Sequence, residues 1–355
     1  LETVDELWER EPYDTPGVKL KDIFLEQAYN NQRFKRLGKV YSLDFCINVM
    51  GLFYNKALFA EKGWNTQPQN YEEFCKLCDD ILKDKISPMI FYKSYLLGLV
   101  RPKFWELSNE DGKLEEFNRG YRYLEGDQYT NPYSVGAWQK FYDMGKKKYF
   151  NSGSGIDDHI ICQMKVLQNK VAMVATGNWV ENEMREATSG IPNFEWGFMA
   201  LPLVENAESP LYTQQGAEDS FFIWADKPEL NKLWAKEFLL WMQNLDVQAK
   251  MAESGIISIR KDFGDDPERM ALIKGVGKDI YTNVLTNPDG KGRTVEIQNR
   301  EADLIDSNKY NETAYSTLND MIVFIATGKK PPLPILEQSE GWFKKALEEG
   351  YETRE

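Results

Sequence analysis

Two segments of the sequence each combine a short apolar strand with a tight turn that leads directly into a helix. The first is Gly38 to Phe59, GKVYSLDFCINVMGLFYNKALF, and the second is Asn169 to Val180, NKVAMVATGNWV. Such segments build α/β sheets, in which backbone and side-chain groups gather at the carboxyl ends of the strands. Open α/β sheets bind their ligands at that edge. The two segments therefore predict an architecture and the place of a binding site within it.

Length and charge narrow the possibilities further. A single hydrophobic core stops growing at roughly 250 to 300 residues, so a chain of 355 residues is expected to form two lobes. Its 43 basic and 56 acidic residues give a net charge of −13, which argues against nucleic acid or an anionic membrane surface as a partner. Apolar runs such as Met321 to Ala326 are too short to cross a bilayer.

Strand-like and helix-like patterns alternate along the chain, which favours α/β architecture with partly parallel sheets. The predicted strands are Lys39 to Asp44, Gly51 to Tyr54, Met89 to Tyr92, Val171 to Ala175, Glu195 to Ala200 and Phe221 to Trp224. Glu205 to Gly216 is expected to be a loop. Apolar stripes at helical spacing on Leu230 to Trp241, Val247 to Ser254 and Leu318 to Ile325 predict helices whose apolar faces belong to the core.

Most catalytic and cofactor motifs are absent from the sequence. His159 is the only histidine, no GxSxG, GxGxxG, P-loop or HExxH motif occurs, and a surface role for His159 is expected. Cys75 and Cys78 lie within a helical pattern, so packing is favoured over zinc or redox chemistry. Two fragments resemble calcium loops but have Leu107 and Leu285 where the first ligand oxygen is needed. We expect no metal and no cofactor.

One carboxylate pair leaves a catalytic alternative open. Glycoside hydrolysis uses two carboxylates, and Glu218 with Asp219 is the obvious pair. Neighbouring residues of a strand point to opposite faces, so these two do not readily flank one bond.

Aromatic residues are abundant, with 10 Trp, 18 Tyr and 19 Phe. Sugar sites combine such rings with carboxylates and amides, because a pyranose offers an apolar C–H face for stacking and a rim of hydroxyls for hydrogen bonds. The candidate ligand-binding residues, at strand ends or in loops, are Trp179, Asp44, Glu218, Tyr95, Tyr310, Tyr41, Asn178 and Asp219.

Three segments resemble the family 1 extracellular solute-binding proteins, the receptors of carbohydrate ABC importers. GKVYSLDFCINVMGLFYNKALFAEKGWNTQPQNYEEFCKLC is similar to the family's GK-x-Y-G-x-P…GLYYNKDLFEEAG…P-x-T-W-E-E-F. VLQNKVAMVATGNWV is similar to F-x-x-G-K-x-A-M-x-x-x-G-x-W, and WADKPELNKLWAKEFLLWMQNLDVQAKMAESGIISIRKD resembles the family's following helical motif. The three motifs occur in the family's order between Gly38 and Asp262.

The resemblance implies a two-lobe, periplasmic-binding-protein-like (type II) α/β fold whose lobes are joined by hinge crossings. These are expected near Asn48 to Met50, near Asp219 to Phe222 and within Tyr281 to Asn299. Lobe 1 would comprise residues 1–48 and 220–280, lobe 2 residues 49–219 and 281–328, and a helical tail residues 329–355. The ligand would be clamped between the lobes, and the closed form would dock on a membrane permease.

The chain also departs from the family pattern. Tyr41-Ser42-Leu43-Asp44 replaces the family's Y-G-x-P, which adds a carboxylate to the first ligand loop. Family members carry two strand–helix units before the segment that begins here at Leu1, so we expect lobe 1 to lack its N-terminal strands and the signal segment to lie outside this chain. Apolar side chains such as Leu233, Trp234 and Phe238 would then be exposed unless another chain covers them.

The resemblance favours an extracytoplasmic receptor, periplasmic or a cell-surface lipoprotein, that delivers an oligosaccharide without catalysis. Trp179 would be the stacking platform, and Asp44 and Glu218 would accept hydrogen bonds from sugar hydroxyls on opposite sides. Membrane contact would be limited to the permease and to a lipid anchor outside this chain. The alternatives are a glycoside-active enzyme, the same fold with a peptide, polyamine or glycerol phosphate as its ligand, and an adhesin or sensor subunit.

Overall fold

The computed structural model describes residues 1–24, 33–34, 38–218, 220–285, 292–295 and 308–352. The strands are β1 (Arg33–Phe34), β2 (Lys39–Val40), β3 (Ser42–Leu43), β4 (Cys46–Asn55), β5 (Ser87–Phe91), β6 (Val171–Gly177), β7 (Trp196–Met199), β8 (Leu211–Glu218), β9 (Phe221–Phe222), β10 (Ile257–Ser258) and β11 (Gly292–Val295).

Helices surround these strands. They are α1 (Asp5–Trp8), α2 (Leu20–Ile23), α3 (Lys56–Lys62), α4 (Tyr71–Lys83), α5 (Lys93–Val100), α6 (Pro102–Glu110), α7 (Leu114–Tyr123), α8 (Pro132–Lys146), α9 (His159–Leu167), α10 (Val180–Glu183), α11 (Arg185–Thr188), α12 (Glu229–Trp241), α13 (Leu245–Ala252), α14 (Pro267–Leu272), α15 (Gly275–Ile280), α16 (Lys309–Asn319), α17 (Ile322–Ala326) and α18 (Leu333–Glu352). A 3₁₀ helix spans Lys261–Asp265 and a π-helix spans Tyr281–Leu285.

Strand β4 organises the sheet. Its first half pairs antiparallel with β8 and β10, from Cys46 to Val49, and its second half pairs antiparallel with β6 and β7, from Met50 to Asn55. Strand β5 continues the sheet parallel to β6, and β11 lies parallel to β8. The strand thus changes partners between Val49 and Met50, where the resemblance places the first crossing.

The two faces of the sheet enter different cores because successive side chains of a strand point to opposite sides. Phe53 and Val174 lie in one core cluster, with α9 and the N-terminal helices. Leu52 and Tyr54 lie in the other, with α3 to α6 and α8. All seven residues of β6 are buried, which explains its unbroken apolar sequence.

The helix that carries Cys75 and Cys78 begins as its sequence predicts. The Asn70 side chain accepts a hydrogen bond from the Glu73 backbone N–H at 2.9 Å, which caps the first turn of α4. Both cysteines are buried free thiols on the inner side of this helix. Burial raises the pKa of the Cys78 thiol well above its usual range.

Two local predictions are wrong. Lys39 to Asp44 is not one strand but two short ones, β2 and β3, and the predicted loop Glu205 to Gly216 contains the first six residues of β8. The polar sequence of β8, LYTQQGAE, shows no apolar alternation. Pairing with β4 on one side and β11 on the other holds it extended.

The predicted core position of the α12 stripe is also wrong. Trp234 is 67% exposed and Phe238 51% exposed, together with Leu230, Leu233 and Trp241. The side of the helix that faces the chain is mixed, since Leu239 and Leu240 are buried and the Lys236 ammonium lies 2.8 Å from the Glu2 carboxylate. The separate expectation that Leu233, Trp234 and Phe238 are exposed is met. In the described part of the chain, no helix has the length and apolar character needed to cross a membrane.

Candidate ligand-binding site

Trp179 lies in the turn between β6 and α10. A Cβ atom added to Gly177 would collide with the indole ring, so the ring lies directly against the glycine at the strand's end. Glycine is therefore required there because the indole occupies the space of a side chain. Trp179 remains half-buried, which leaves part of the ring accessible.

One ring contacts this indole directly, and two more contact that ring. The Tyr95 ring, on the first turn of α5, lies edge-on to Trp179 with centroids 5.5 Å apart. Tyr92 lies 5.3 Å from Tyr95, and the imidazole of His159 lies 5.8 Å from Tyr92 and 6.2 Å from Tyr95. All four are half-buried. We call Tyr92, Tyr95, His159 and Trp179 the aromatic cluster.

The topology of the sheet explains this convergence. β5 and β6 are parallel neighbours, so their carboxyl ends lie at the same edge. Tyr92 and Tyr95 follow β5, and Trp179 follows β6. The sequence predicted that two of these rings, Tyr95 and Trp179, are ligand-binding residues, and the structure brings them together.

Sequence reasoning missed Tyr92 and His159. His159 keeps the predicted surface position, with 36% of its side chain exposed, and its ring lies beside the two tyrosines. Its Nε2 lies 3.4 Å from Glu183 Oε1, and Glu183 Oε2 accepts a hydrogen bond from the buried Gln163 amide at 2.8 Å. No local pattern marks His159, because its neighbours come from the start of α5 and from α10.

Asn178 forms hydrogen bonds between β4 and the turn that joins β6 to α10. Its side-chain Oδ1 accepts a hydrogen bond from the Val49 N–H at 2.8 Å, and its own N–H donates to the Val49 carbonyl at 3.2 Å. Asn178 is buried. Its side chain therefore bonds to the point where β4 changes partners.

The first ligand loop is largely turned inward. Asp44 is 3% exposed, and its carboxylate accepts a hydrogen bond from the Ser220 hydroxyl. Its carbonyl accepts a hydrogen bond from the Gln243 amide at 3.3 Å. Tyr41, between β2 and β3, is half-buried. Burial leaves the Asp44 carboxylate little surface with which to bind a sugar hydroxyl.

The remaining predicted residues lie elsewhere or outside the description. Tyr310 stacks on Trp342 with centroids 5.9 Å apart, in a small separate cluster with Leu124 and Phe343. The Glu218 backbone pairs with Cys46 at the end of β8, but its side chain and all of Asp219 lie outside the described residues. The structure thus groups Tyr95 with Trp179 and does not group Tyr310 with them.

A half-buried carboxylate, Glu181 of α10, lies two residues after Trp179. Glu181 Oε2 accepts a hydrogen bond from the Val276 N–H at 3.0 Å, and burial raises the pKa of Glu181. No group of three or more His, Cys, Asp or Glu side chains suited to a metal occurs among the residues the structure describes. The accessible chemistry of the site is therefore that of aromatic faces and single polar groups.

Comparison with known proteins identifies the family of this chain. Residues 7–273 match the bacterial extracellular solute-binding protein family. The chain is 26% identical over 256 residues to the diacetylchitobiose binding protein NgcE of Streptomyces coelicolor, covering 72% of this chain and 52% of NgcE. It is 26% identical over 212 residues to the maltodextrin-binding protein MdxE of Bacillus subtilis, covering 56% of this chain and 45% of MdxE. The chain spans about half the length of these curated relatives.

Solved structures share the fold. A chitin oligosaccharide binding protein superposes with a TM-score of 0.68 at 16% identity, covering 93% of this chain and 76% of the other. RafE in complex with raffinose gives a TM-score of 0.63 at 17% identity, covering 92% and 80%. The predicted type II periplasmic-binding-protein-like fold is confirmed. With three quarters of its length matched by the family, the chain belongs to the bacterial extracellular solute-binding proteins.

Proposed function

We propose that the protein is the oligosaccharide receptor of an ABC importer, and that the aromatic cluster holds one sugar ring. The observation that carries the proposal is the half-buried Trp179 indole, fixed against Gly177 with Tyr95 at its edge. An indole face suits the C–H face of a pyranose. The named relatives NgcE and MdxE bind saccharides, which supports the same ligand class here.

Polar groups beside the rings would bind the sugar hydroxyls. Glu183 accepts hydrogen bonds, and the His159 ring can donate or accept according to its tautomer. His159 adjoins Tyr95, and Glu183 adjoins His159, so the proposal moves the polar contacts from the first ligand loop to the start of α9 and the end of α10. A neutral polyol matches these polar groups, because its hydroxyls both donate and accept hydrogen bonds.

The change of partners along β4 supports a closing movement. We assign lobe 1 to residues 1–48 and 220–280 and lobe 2 to residues 49–219 and 281–328, with Asn48 to Met50 as the crossing between them. A sugar that contacts both lobes only when they meet shifts the population toward the closed form. A shift from 1:99 to 99:1 requires about 5.5 kcal/mol of differential affinity. Micromolar binding corresponds to about 8 kcal/mol in total, which is sufficient.

The proposal includes the surroundings of the protein. The receptor acts outside the cytoplasm, docks on a permease when closed, and is held at the membrane by a lipid anchor outside this chain. It releases the sugar unchanged.

A binding titration with matched tryptophan variants tests the proposal. Diacetylchitobiose, maltotriose and raffinose are titrated calorimetrically into the wild-type protein, Trp179→Ala and Trp234→Ala. We expect Trp179→Ala to weaken binding of the preferred sugar by about fivefold or more, since a stacked ring contributes about 1 kcal/mol beyond area burial. Trp234 is exposed on α12, so its variant is the control.

Three outcomes would contradict the proposal. Equal affinity in Trp179→Ala and wild type would show that Trp179 does not stack on the sugar. Release of shortened sugars that is lost in Glu218→Gln would support the glycosidase alternative, and binding of only an amino acid or polyamine would support a different solute.

A further inference from the structure

The outer face of α12 is both apolar and exposed. Steps of three or four positions place its large side chains in one stripe along the helix. These side chains are between 46% and 67% exposed, and they are Leu230, Leu233, Trp234, Phe238 and Trp241. These five residues are the α12 stripe. Large contiguous apolar patches on a soluble protein mark interaction surfaces.

The side of α12 that faces the chain also contains apolar residues. Leu239 and Leu240 are buried on that side. A helix at a protein surface carries polar residues on its outer face, whereas a helix that is apolar on both sides is buried on both. The sequence of α12 is therefore that of a helix with a second layer of protein packed over its stripe.

Each charged residue of α12 already has an ion-pair partner within the chain. The pairs are Glu229 with Lys232, Lys232 and Lys236 with Glu2, and Glu237 with Arg10. An interface over the stripe therefore buries no unpaired charge of this helix, which would be costly. The same pairs disfavour a membrane surface, because membrane-bound helices attract anionic lipids with Lys and Arg side chains. The net charge of −13 also opposes that attraction.

The area of the stripe fits the contact between two identical chains. An aromatic side chain can bury about 150 to 250 Å², so the exposed fractions of the five side chains offer roughly 500 to 600 Å². A stable interface buries about 800 Å² on each partner, and about 65% of a homodimer interface is apolar, which is roughly 500 Å². The stripe alone therefore supplies the apolar area that one side of a stable dimer needs.

We propose that the α12 stripe is the interface of a homodimer, in which it packs against the same stripe of a second copy of this chain. A two-fold axis uses one patch on both copies, so the two α12 helices contact each other along the stripe, which is about 16 Å long. Trp234 lies near its middle, where aromatic residues contribute most to binding. The inference goes beyond the proposed function and does not depend on it, since no residue of α12 belongs to the aromatic cluster.

Sedimentation velocity of the full chain across a wide range of protein concentration tests the interface. We expect wild type to change reversibly from monomer to dimer as its concentration rises. Leu233→Glu should raise the dimer dissociation constant by about tenfold or more, because each copy would then bury a carboxylate at the contact. Ile156→Glu is the matched control, since Ile156 is 77% exposed before α9 and the substitution adds the same charge. We expect no change in this control, and circular dichroism verifies the fold of each variant.

Three results would overturn a second copy as the occupant of the stripe. A monomer at every concentration would exclude the dimer. An equal dissociation constant in Leu233→Glu and wild type would show that the dimer forms through another face. Binding of the monomer to phosphatidylcholine vesicles that is lost in Leu233→Glu would assign the stripe to a membrane. Each of these results leaves the receptor proposal standing, because sugar binding is measured separately.

Discussion

The hydrogen bond between Asn178 and Val49 leads to a specific prediction about the free energy of unfolding. Asn178→Ala removes the side-chain oxygen that accepts the Val49 N–H at 2.8 Å, while the reverse backbone bond at 3.2 Å remains. Both residues are buried, and Val49 is fully so. The Val49 N–H is therefore left without a partner in a place that water does not reach.

The magnitude follows from that burial. A buried donor left unpaired costs about 1 to 3 kcal/mol, so we expect Asn178→Ala to lower the free energy of unfolding by about 2 kcal/mol. Asn206→Ala provides the control, because the Asn206 Oδ1 also accepts a backbone N–H, from Glu208 at 3.0 Å, but at an exposed site. Water can replace that acceptor, and exposed substitutions of this kind change stability by about 0.5 kcal/mol or less.

Urea unfolding followed by tryptophan fluorescence measures both variants against wild type. A loss in Asn178→Ala no greater than that in Asn206→Ala would refute the argument that this bond joins β4 to the Trp179 turn.

Three further changes test other parts of the structure. Lys103→Met removes the ammonium that lies 2.6 Å from the fully buried Glu106 carboxylate, and urea unfolding should show a loss of about 3 to 5 kcal/mol in the free energy of unfolding. A loss below 1 kcal/mol would contradict this. Gly177→Ala should displace the Trp179 ring and weaken sugar binding in calorimetry, whereas Gly190→Ala, with open space around it, should not. Burial raises the pKa of Glu181, so the folded protein holds that proton more tightly than the unfolded chain, and stability falls as pH rises from about 4.3 through the raised value. Glu181→Gln should flatten that fall in thermal unfolding measured across the same range, and an unchanged slope would exclude Glu181 as its source.

The meeting of Tyr95 with Trp179 could be predicted because it depends on local patterns and one topological rule. Each ring follows an apolar strand through a short turn, and parallel strands end at the same edge of a sheet. The role of Asn178 could not be predicted in this way, since its partner Val49 lies 129 positions away in the sequence. The neighbours of His159 likewise come from other elements.

Sequence periodicity alone gave wrong predictions for β8 and α12, for related reasons. The extended form of β8 comes from strands on both of its sides, which its polar sequence does not reveal. The α12 helix has the amphipathic spacing of a core helix, yet its inward side carries Leu239, Leu240 and Lys236, which pairs with Glu2, while the predicted stripe is exposed. Spacing identifies which residues share a face, whereas the direction of that face depends on the rest of the fold.

Because β4 is one continuous strand, the side-chain alternation in its first half fixes which side chains of its second half point to each face of the sheet. An insertion of one residue at Val49 would turn every later side chain of the strand to the opposite face, so that Phe53 would enter the core that now holds Leu52 and Tyr54. An insertion of two residues would keep the faces and change only the spacing. Insertions of an even number of residues at Val49 would therefore keep each later side chain on its face of the sheet, whereas insertions of an odd number would exchange the two faces.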